Sequence, residues 1–542
     1  MSAQTLSTQA LRVQSLAGTR IMIQLAAKRD RIMIPVWVYA LIATSASTAY
    51  SFKGLYSTES SREAFAASIN ATPSAVAIYG PVQSTSLGGL TAWRIAALAA
   101  TLAAVMSILL VVRHTRAEEQ TGRQELVGAA AVGRQAPLAS ALSVALLADV
   151  IAAVGTAVVL PFLGEGAAGA ALLGLSIGAC GLLFGALAAV TAQIAETSRA
   201  ANGIAFAILG AMFLARAAGD ASGWSWLLWC SPVGWVEQAD AYAQDRWWTL
   251  ALPIAGALVL TAVAVRLSAH RDLGSGMLAA RDGAARAGRD LRGVNGLAYR
   301  LHRAPLLGWA VAYALAGGVI GSVSKDIGGL LSSSASVEKY LRELGGQQGL
   351  VDAYLAGVLQ IMALIAAVYI VQATLRLRGE ETSGRVEPLL AAAVSRVRFA
   401  ASHFGAALLG GGVLLLVMGA STGLAYGIRL HDVSGQVPTM IGASLAQWPA
   451  VAVVGGLTAL LAAALPRYTA VAWGLVAVFI LMAELAPVLK LSQAVIDISP
   501  FTHVPKLPGG AFGWTPIVAL AVIAVALLTA ALVGFRRRDL TI

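Results

Sequence analysis

Of the 542 residues only 12% are charged, about half of the ~25% usual in soluble domains, while apolar types reach 58% and mean hydropathy is +0.75. A soluble fold of this length would need far more charge to cover its surface, which excludes a soluble enzyme, a coiled coil and a disordered chain. A polytopic membrane protein remains, and the net charge of +11, from 38 Lys and Arg against 27 Asp and Glu, must be read from where those charges lie.

The first 33 residues carry Lys28, Arg29 and Arg31 ahead of any long apolar run, so a cleavable leader is not expected. Within them, 6–31 is expected to form an amphipathic helix at the membrane surface. A spanning helix takes about 20 mostly apolar residues. In chain order the expected spans are 34–50, 93–112, 138–160, 168–192, 201–218 and 250–267. A second set follows at 306–323, 353–374, 399–426, 444–465, 469–486 and 514–535. If the N-terminus lies in the cytoplasm, most Lys and Arg fall in the inside segments, ending with Arg536, Arg537 and Arg538 after the last span. The basic balance is thus a topology signal, both termini are expected in the cytoplasm, and nucleic acid is not an expected partner. Cys180 and Cys230 offer neither a disulfide framework nor metal spacing, and no metal site is expected.

The chain repeats itself. Residues 116–134, RAEEQTGRQELVGAAAVGR, match 378–396, RGEETSGRVEPLLAAAVSR, at 11 of 19 positions with an offset of 262. Arg199 matches Arg467 and Ser231-Pro232 matches Ser499-Pro500, both at offset 268; Arg271-Asp272-Leu273 matches Arg538-Asp539-Leu540. This is a tandem duplication of a six-span unit. An even number of spans gives both halves one orientation, related by an axis along the membrane normal, and a substrate route on that axis is expected. The divisions are then 1–33 as surface helix, 34–267 as the first half, 268–305 as a cytoplasmic connector with its own amphipathic helix, and 306–542 as the second half.

Each half carries an acidic block in the loop after its second span. The first is Glu118-Glu119-x-x-Gly122-Arg123-x-Glu125, and the second is Glu380-Glu381-x-x-Gly384-Arg385-x-Glu387. A Gly after Thr121 or Ser383 suits a helix break and restart, and carboxylates in the first turn suit the dipole of the next helix. A short, charge-bearing helix exposed just under the membrane is expected. The block resembles the cytoplasmic Glu-x-x-x-Gly-x-x-Glu-x-Leu…Arg signature of ABC-2 type exporter permeases. It departs from it at Arg123 and Arg385, where that family often has Thr. Two fused halves with these departures look like the actinobacterial subgroup of exporters of polyketide antibiotics.

The resemblance implies an all-α polytopic membrane protein of about 12 transmembrane helices, a pseudo-dimer of six-helix ABC-2 (type V exporter-like) units. It implies that the acidic block is a coupling helix docking on an ATP-hydrolysing subunit present in two copies. No Gly-x-x-x-x-Gly-Lys-Ser/Thr loop occurs in the chain, so ATP and Mg would belong to that partner and the chain would be no enzyme. Residues 118, 119, 122, 123 and 125, with 380, 381, 384, 385 and 387, are the expected coupling residues. Location in the bacterial plasma membrane, contact with lipid, and export of a hydrophobic drug-like compound follow from the same resemblance.

Ionisable residues at membrane depth are candidate functional groups. Asp149 lies in the third span, and its repeat counterpart is Gly411. It either lines a polar cavity and binds a proton, or accepts bonds from nearby hydroxyls. Arg216 and Glu484 stand at one repeat position and would form a gate pair if their spans approach the axis; otherwise each anchors separately at the outer interface. The segment 220–248 holds Trp224, Trp226, Trp229 and Trp235 among half of the chain's 12 Trp, which is expected at the outer interface. A proton-coupled drug carrier using Asp149, and a lipid-handling membrane protein without a motor, are the competing readings.

Overall fold

The computed structural model describes residues 15–71, 79–123, 132–271, 293–331, 346–392, 394–489 and 492–538, with the isolated positions 76, 276–277, 286, 288 and 291. The described elements are helical, and eleven of them are long and apolar enough to cross a membrane. The expected span 469–486 falls in a helix running Ala470–Leu489. The chain divides into two compact units, Met1–Gly283 and Ala284–Ile542.

In the first unit a short helix α1 (Thr19–Arg29) precedes α2 (Met33–Leu55), α3 (Glu59–Asn70), α4 (Leu87–His114) and α5 (Arg116–Gln120). Then come α6 (Ala136–Phe162), α7 (Ala167–Ile194), α8 (Ser198–Ser222), α9 (Ser225–Cys230), α10 (Pro232–Gln238) and α11 (Ala251–Ala269). α4 and α7 are apolar all round, as helices enclosed on every side are. They form the centre, and α2, α6 and α11 pack about them. Small residues let the backbones close: a Cβ on Gly174 would lie 2.3 Å from the Ala153 carbonyl oxygen, and one on Gly178 2.9 Å from that of Asp149. This four-residue stripe is the usual small-residue contact of membrane helices, where van der Waals contact rather than hydrophobicity joins helices.

The second unit runs α12 (Val294–Leu331), α13 (Gly346–Thr382), α14 (Val386–Ala391), α15 (Arg396–Leu430) and α16 (Val433–Leu445). It ends with α17 (Trp448–Ala464), α18 (Ala470–Leu489), α19 (Gln493–Ile496) and α20 (Trp514–Arg537). Here α15 packs along α12 and α16, and α17 along α20 and α13. The helix expected inside the connector is not separate. It is the first part of α12, which continues through Pro305 into the span. In the first unit the matching stretch is broken at Asp30, between α1 and α2.

Two ends of each unit matter. One end carries the repeated acidic block, and in the first unit it gathers α1, α5, the start of α8 and the exit of α11. Ser198 Oγ donates to Gln120 Oε1 there at 2.6 Å. The opposite end carries α3, α9, α10 and the Trp-rich segment.

Candidate functional site

The acidic block begins where each second span runs out. The chain turns at Gly122 with φ +70° and at Gly384 with φ +71°, the left-handed region where Gly carries no Cβ penalty. Helix break and restart are as expected in the second unit, where α14 follows Gly384. In the first unit Glu125 lies outside the described residues.

The carboxylates before the turn are not displayed to solvent. The Glu119 side chain is only 6% exposed and bridges Arg116, one turn back, to Arg271, beyond the end of α11. Arg134 Nη2 donates to the Arg271 carbonyl at 2.7 Å, so the far end of the loop meets the same residue. The second unit repeats this arrangement. Glu381 is buried and bridges Arg378, at 2.9 Å, to Arg538 beyond α20. Arg396 Nη1 donates to the Arg538 carbonyl at 2.9 Å. Each unit thus closes a latch from its second span, through the loop, to the exit of its sixth. A buried carboxylate must be neutralised, and each of these has two guanidinium partners.

The expectation that Glu119 and Glu381 are exposed docking charges is therefore corrected: they hold the loop rather than present it. Glu118, half-buried, pairs with Arg29 and lies 3.8 Å from Arg123. Glu380 is buried like Glu381, against the same expectation, and lies 3.3 Å from Arg385 and 3.7 Å from Arg376. The outward groups are Arg123, with 57% of its side chain exposed, Arg385, with 69%, and Glu387. Arg271 and Arg538 stood in the repeat only as landmarks. Their recurrence just past the last span of each half was the signal that they had work there.

At the opposite end of the first unit, Arg216 is fully buried. Its Nε lies 3.0 Å from Asp220 Oδ2 and its Nη1 3.1 Å from Glu237 Oε1. Its partners are thus two acidic side chains of its own half, neither of which sequence reasoning singled out. Burial, and then Asp220, push the Glu237 carboxyl up, against the pull of Arg216, to about 8. Asp220 and Glu237 border a cavity of about 130 Å³ with Tyr79 and Trp93. The Glu484 side chain lies outside the described residues, and its backbone is in α18.

Asp149 is buried between α4, α6 and α7. Ser107 Oγ donates to it, at 2.8 Å to Oδ2 and 3.0 Å to Oδ1. Gly181 makes the room, since a Cβ there would sit 2.2 Å from Oδ1. In the second unit the residue at the Ser107 position is Tyr369, and its phenol oxygen would lie 2.1 Å from a Cβ on Gly410. One half fills this space with a carboxylate and a hydroxyl, the other with a phenol. Of the four Trp, Trp224 and Trp226 are each 59% exposed and stack on one another at 6.5 Å. Trp229 stacks on Trp248 at 5.4 Å and accepts, through its carbonyl, from Trp235 Nε1 at 2.6 Å.

Multiple spanning helices, a duplicated plan and the same latched loop in each half define a polytopic membrane permease. The chain belongs to the ABC-2 type permeases, in the family of the multidrug efflux system permease Rv1217c. It is 42% identical over 524 residues to the multidrug efflux system permease protein Rv1217c of Mycobacterium tuberculosis, covering 96% of this chain and 95% of that relative. The family model for the C-terminal domain of the multidrug efflux system permease Rv1217c matches residues 291–536.

Proposed function

We propose that the chain is the membrane subunit of an ATP-driven exporter of hydrophobic or amphipathic compounds, antibiotics and drugs among them. Two copies of a separate ATPase subunit would power it, each docking on one acidic-block loop and carrying its own ATP and Mg. The membrane is the bacterial plasma membrane, with both termini in the cytoplasm. The observation that carries the reading is the pair of latches. A loop tied at one point to both its second and its sixth span is a lever, because force on the loop reaches two helices together. A carrier driven by protons has no need of such a loop twice. The relative's role as a multidrug efflux system permease protein supports the class of cargo.

The outward arginines test the docking. Arg123→Glu and Arg385→Glu reverse charges that are mostly exposed, so folding is retained. In the assembled complex each is expected to lower drug-stimulated ATPase activity about tenfold, the size of a small coupling free energy between sites. The double variant should abolish stimulation. Undiminished stimulation in the double variant would remove the loops from the coupling path.

A further inference from the structure

The first unit carries a cavity of about 460 Å³ at its acidic-block end, and the latch does not use it. It opens between α1, the residues around Glu118, and the start of α6. Lys28, Arg29 and Arg123 face it, and Met22, Leu25 and Pro137 form its apolar wall. Its size is that of a small-molecule site rather than of a single ion.

The charges facing it are unbalanced. Asp30, just behind, is taken up by His114 at 2.6 Å and Arg113 at 3.1 Å. That leaves Glu118 as the carboxylate on the wall against three cations. Burial chiefly holds the Arg29 guanidinium below its ordinary value, and the charges of Arg113 and Arg123 add to it. An anion placed there would relieve that repulsion.

The apolar side is equally specific. α1 exposes Ile21 at 71% and Leu25 at 60%, and Ile32 beyond it is 71% exposed, immediately before the first span begins at Met33. Large apolar side chains beside Lys and Arg at a span entrance belong at the headgroup boundary of a bilayer. By the positive-inside rule this is the cytoplasmic leaflet.

We propose that this cavity binds the headgroup of an anionic phospholipid of the inner leaflet, with the phosphodiester among Lys28, Arg29 and Arg123 and an acyl chain along Met22, Leu25 and Pro137. Basic pockets beside transmembrane helices on the cytoplasmic side take anionic headgroups in this way. The lipid would compete with Glu118 for Arg29. The site shares Arg123 with the coupling loop, but lipid retention is read without any ATPase and the motor reading is read in an ATPase assay, so the two fail independently.

Native mass spectrometry of the full chain tests it, with dioleoyl phosphatidylglycerol and dioleoyl phosphatidylcholine as probes. Wild type should retain phosphatidylglycerol about tenfold better than phosphatidylcholine. Lys28→Gln with Arg123→Gln, both at exposed side chains, should erase most of that preference, since each surface cation contributes roughly a fivefold effect. Glu118→Gln should raise retention by releasing Arg29. Arg536→Gln with Arg537→Gln removes equal charge elsewhere and should change nothing. Inorganic phosphate at millimolar concentration should fail to displace the lipid. An equal loss in the control pair, displacement by phosphate, or no preference in wild type would each overturn the site.

Discussion

At the scale of single residues, the informative feature is which charges are buried and with whom. Glu119 and Arg271 stand 152 positions apart and meet with side chains only 6% exposed. Removing one partner leaves the other uncompensated, so Glu119→Ala is expected to destabilise by about 3–5 kcal/mol. Arg271→Ala in the same background should then add little. The double-mutant cycle should show about 1–3 kcal/mol of coupling, read from thermal unfolding of the full chain. Additive losses would mean the latch does not exist in solution. Glu237 gives a pH signature. A carboxyl raised from 4.5 to about 8 holds its proton more tightly in the folded chain. Its contribution is complete below pH 4.5 and is lost as pH rises through about 8. Hydrogen exchange in α10 should therefore speed up between pH 7 and pH 9 beyond its intrinsic pH dependence, and Glu237→Gln should flatten that excess. An unchanged excess in the variant would clear Glu237 of the effect.

At the scale of elements, packing is decided by Gly spacing rather than by amphipathicity. α15 lays Gly419, Gly423 and Gly427 against α16, where a Cβ would fall 2.6 Å from Ile441 Cα, 2.7 Å from Val437 Cα and 2.7 Å from Val433 Cα. Those neighbours are backbone and have no rotamer by which to yield. Gly423→Val is expected to cost about 1–3 kcal/mol through overpacking. Gly442, on α16 with nothing within 4 Å, should accept Ala with no loss and a gain of up to about 1 kcal/mol in helix propensity. Thermal unfolding of the two variants in detergent distinguishes them, and equal effects would deny the close approach. The same scale explains why the connector helix and the span after it form one helix. Its apolar spacing simply continues past Pro305, and local pattern holds no mark of where a surface helix becomes a span.

At the scale of the molecule, the duplication keeps the latch residues and is relaxed elsewhere. Arg116, Glu119, Arg134 and Arg271 form a network that Arg378, Glu381, Arg396 and Arg538 form again. The interior of the bundle does not repeat: Asp149 with Ser107 is answered by Tyr369 and glycine. A driving role for Asp149 and a motor role for the loops predict different energetics. With the ATPase partner in ATP-loaded vesicles, transport is expected to continue when an ionophore collapses the proton gradient, and Asp149→Asn should keep most of it. Loss of transport on collapsing the gradient would favour the proton-driven carrier.

The sequence alone determined that the chain is helical and membrane-spanning and that one multi-span unit is used twice. Those properties are written in composition, in apolar run length and in self-similarity, all of which are local or periodic, while the ABC-2 kind of the repeated loop came from its resemblance to that family's signature. The sequence also exposed Arg271 and Arg538 as repeated, without saying why. Only the tertiary structure decided what the charges do. The Glu119 and Glu381 side chains are buried because the exit of the sixth span returns to the loop. Arg216 is answered by Asp220 and Glu237 because α10 folds back beside α8. A charge in a sequence has a sign and a position, but its partner is chosen by which helices pack together, and that choice is made by small-residue contacts spread over the whole bundle.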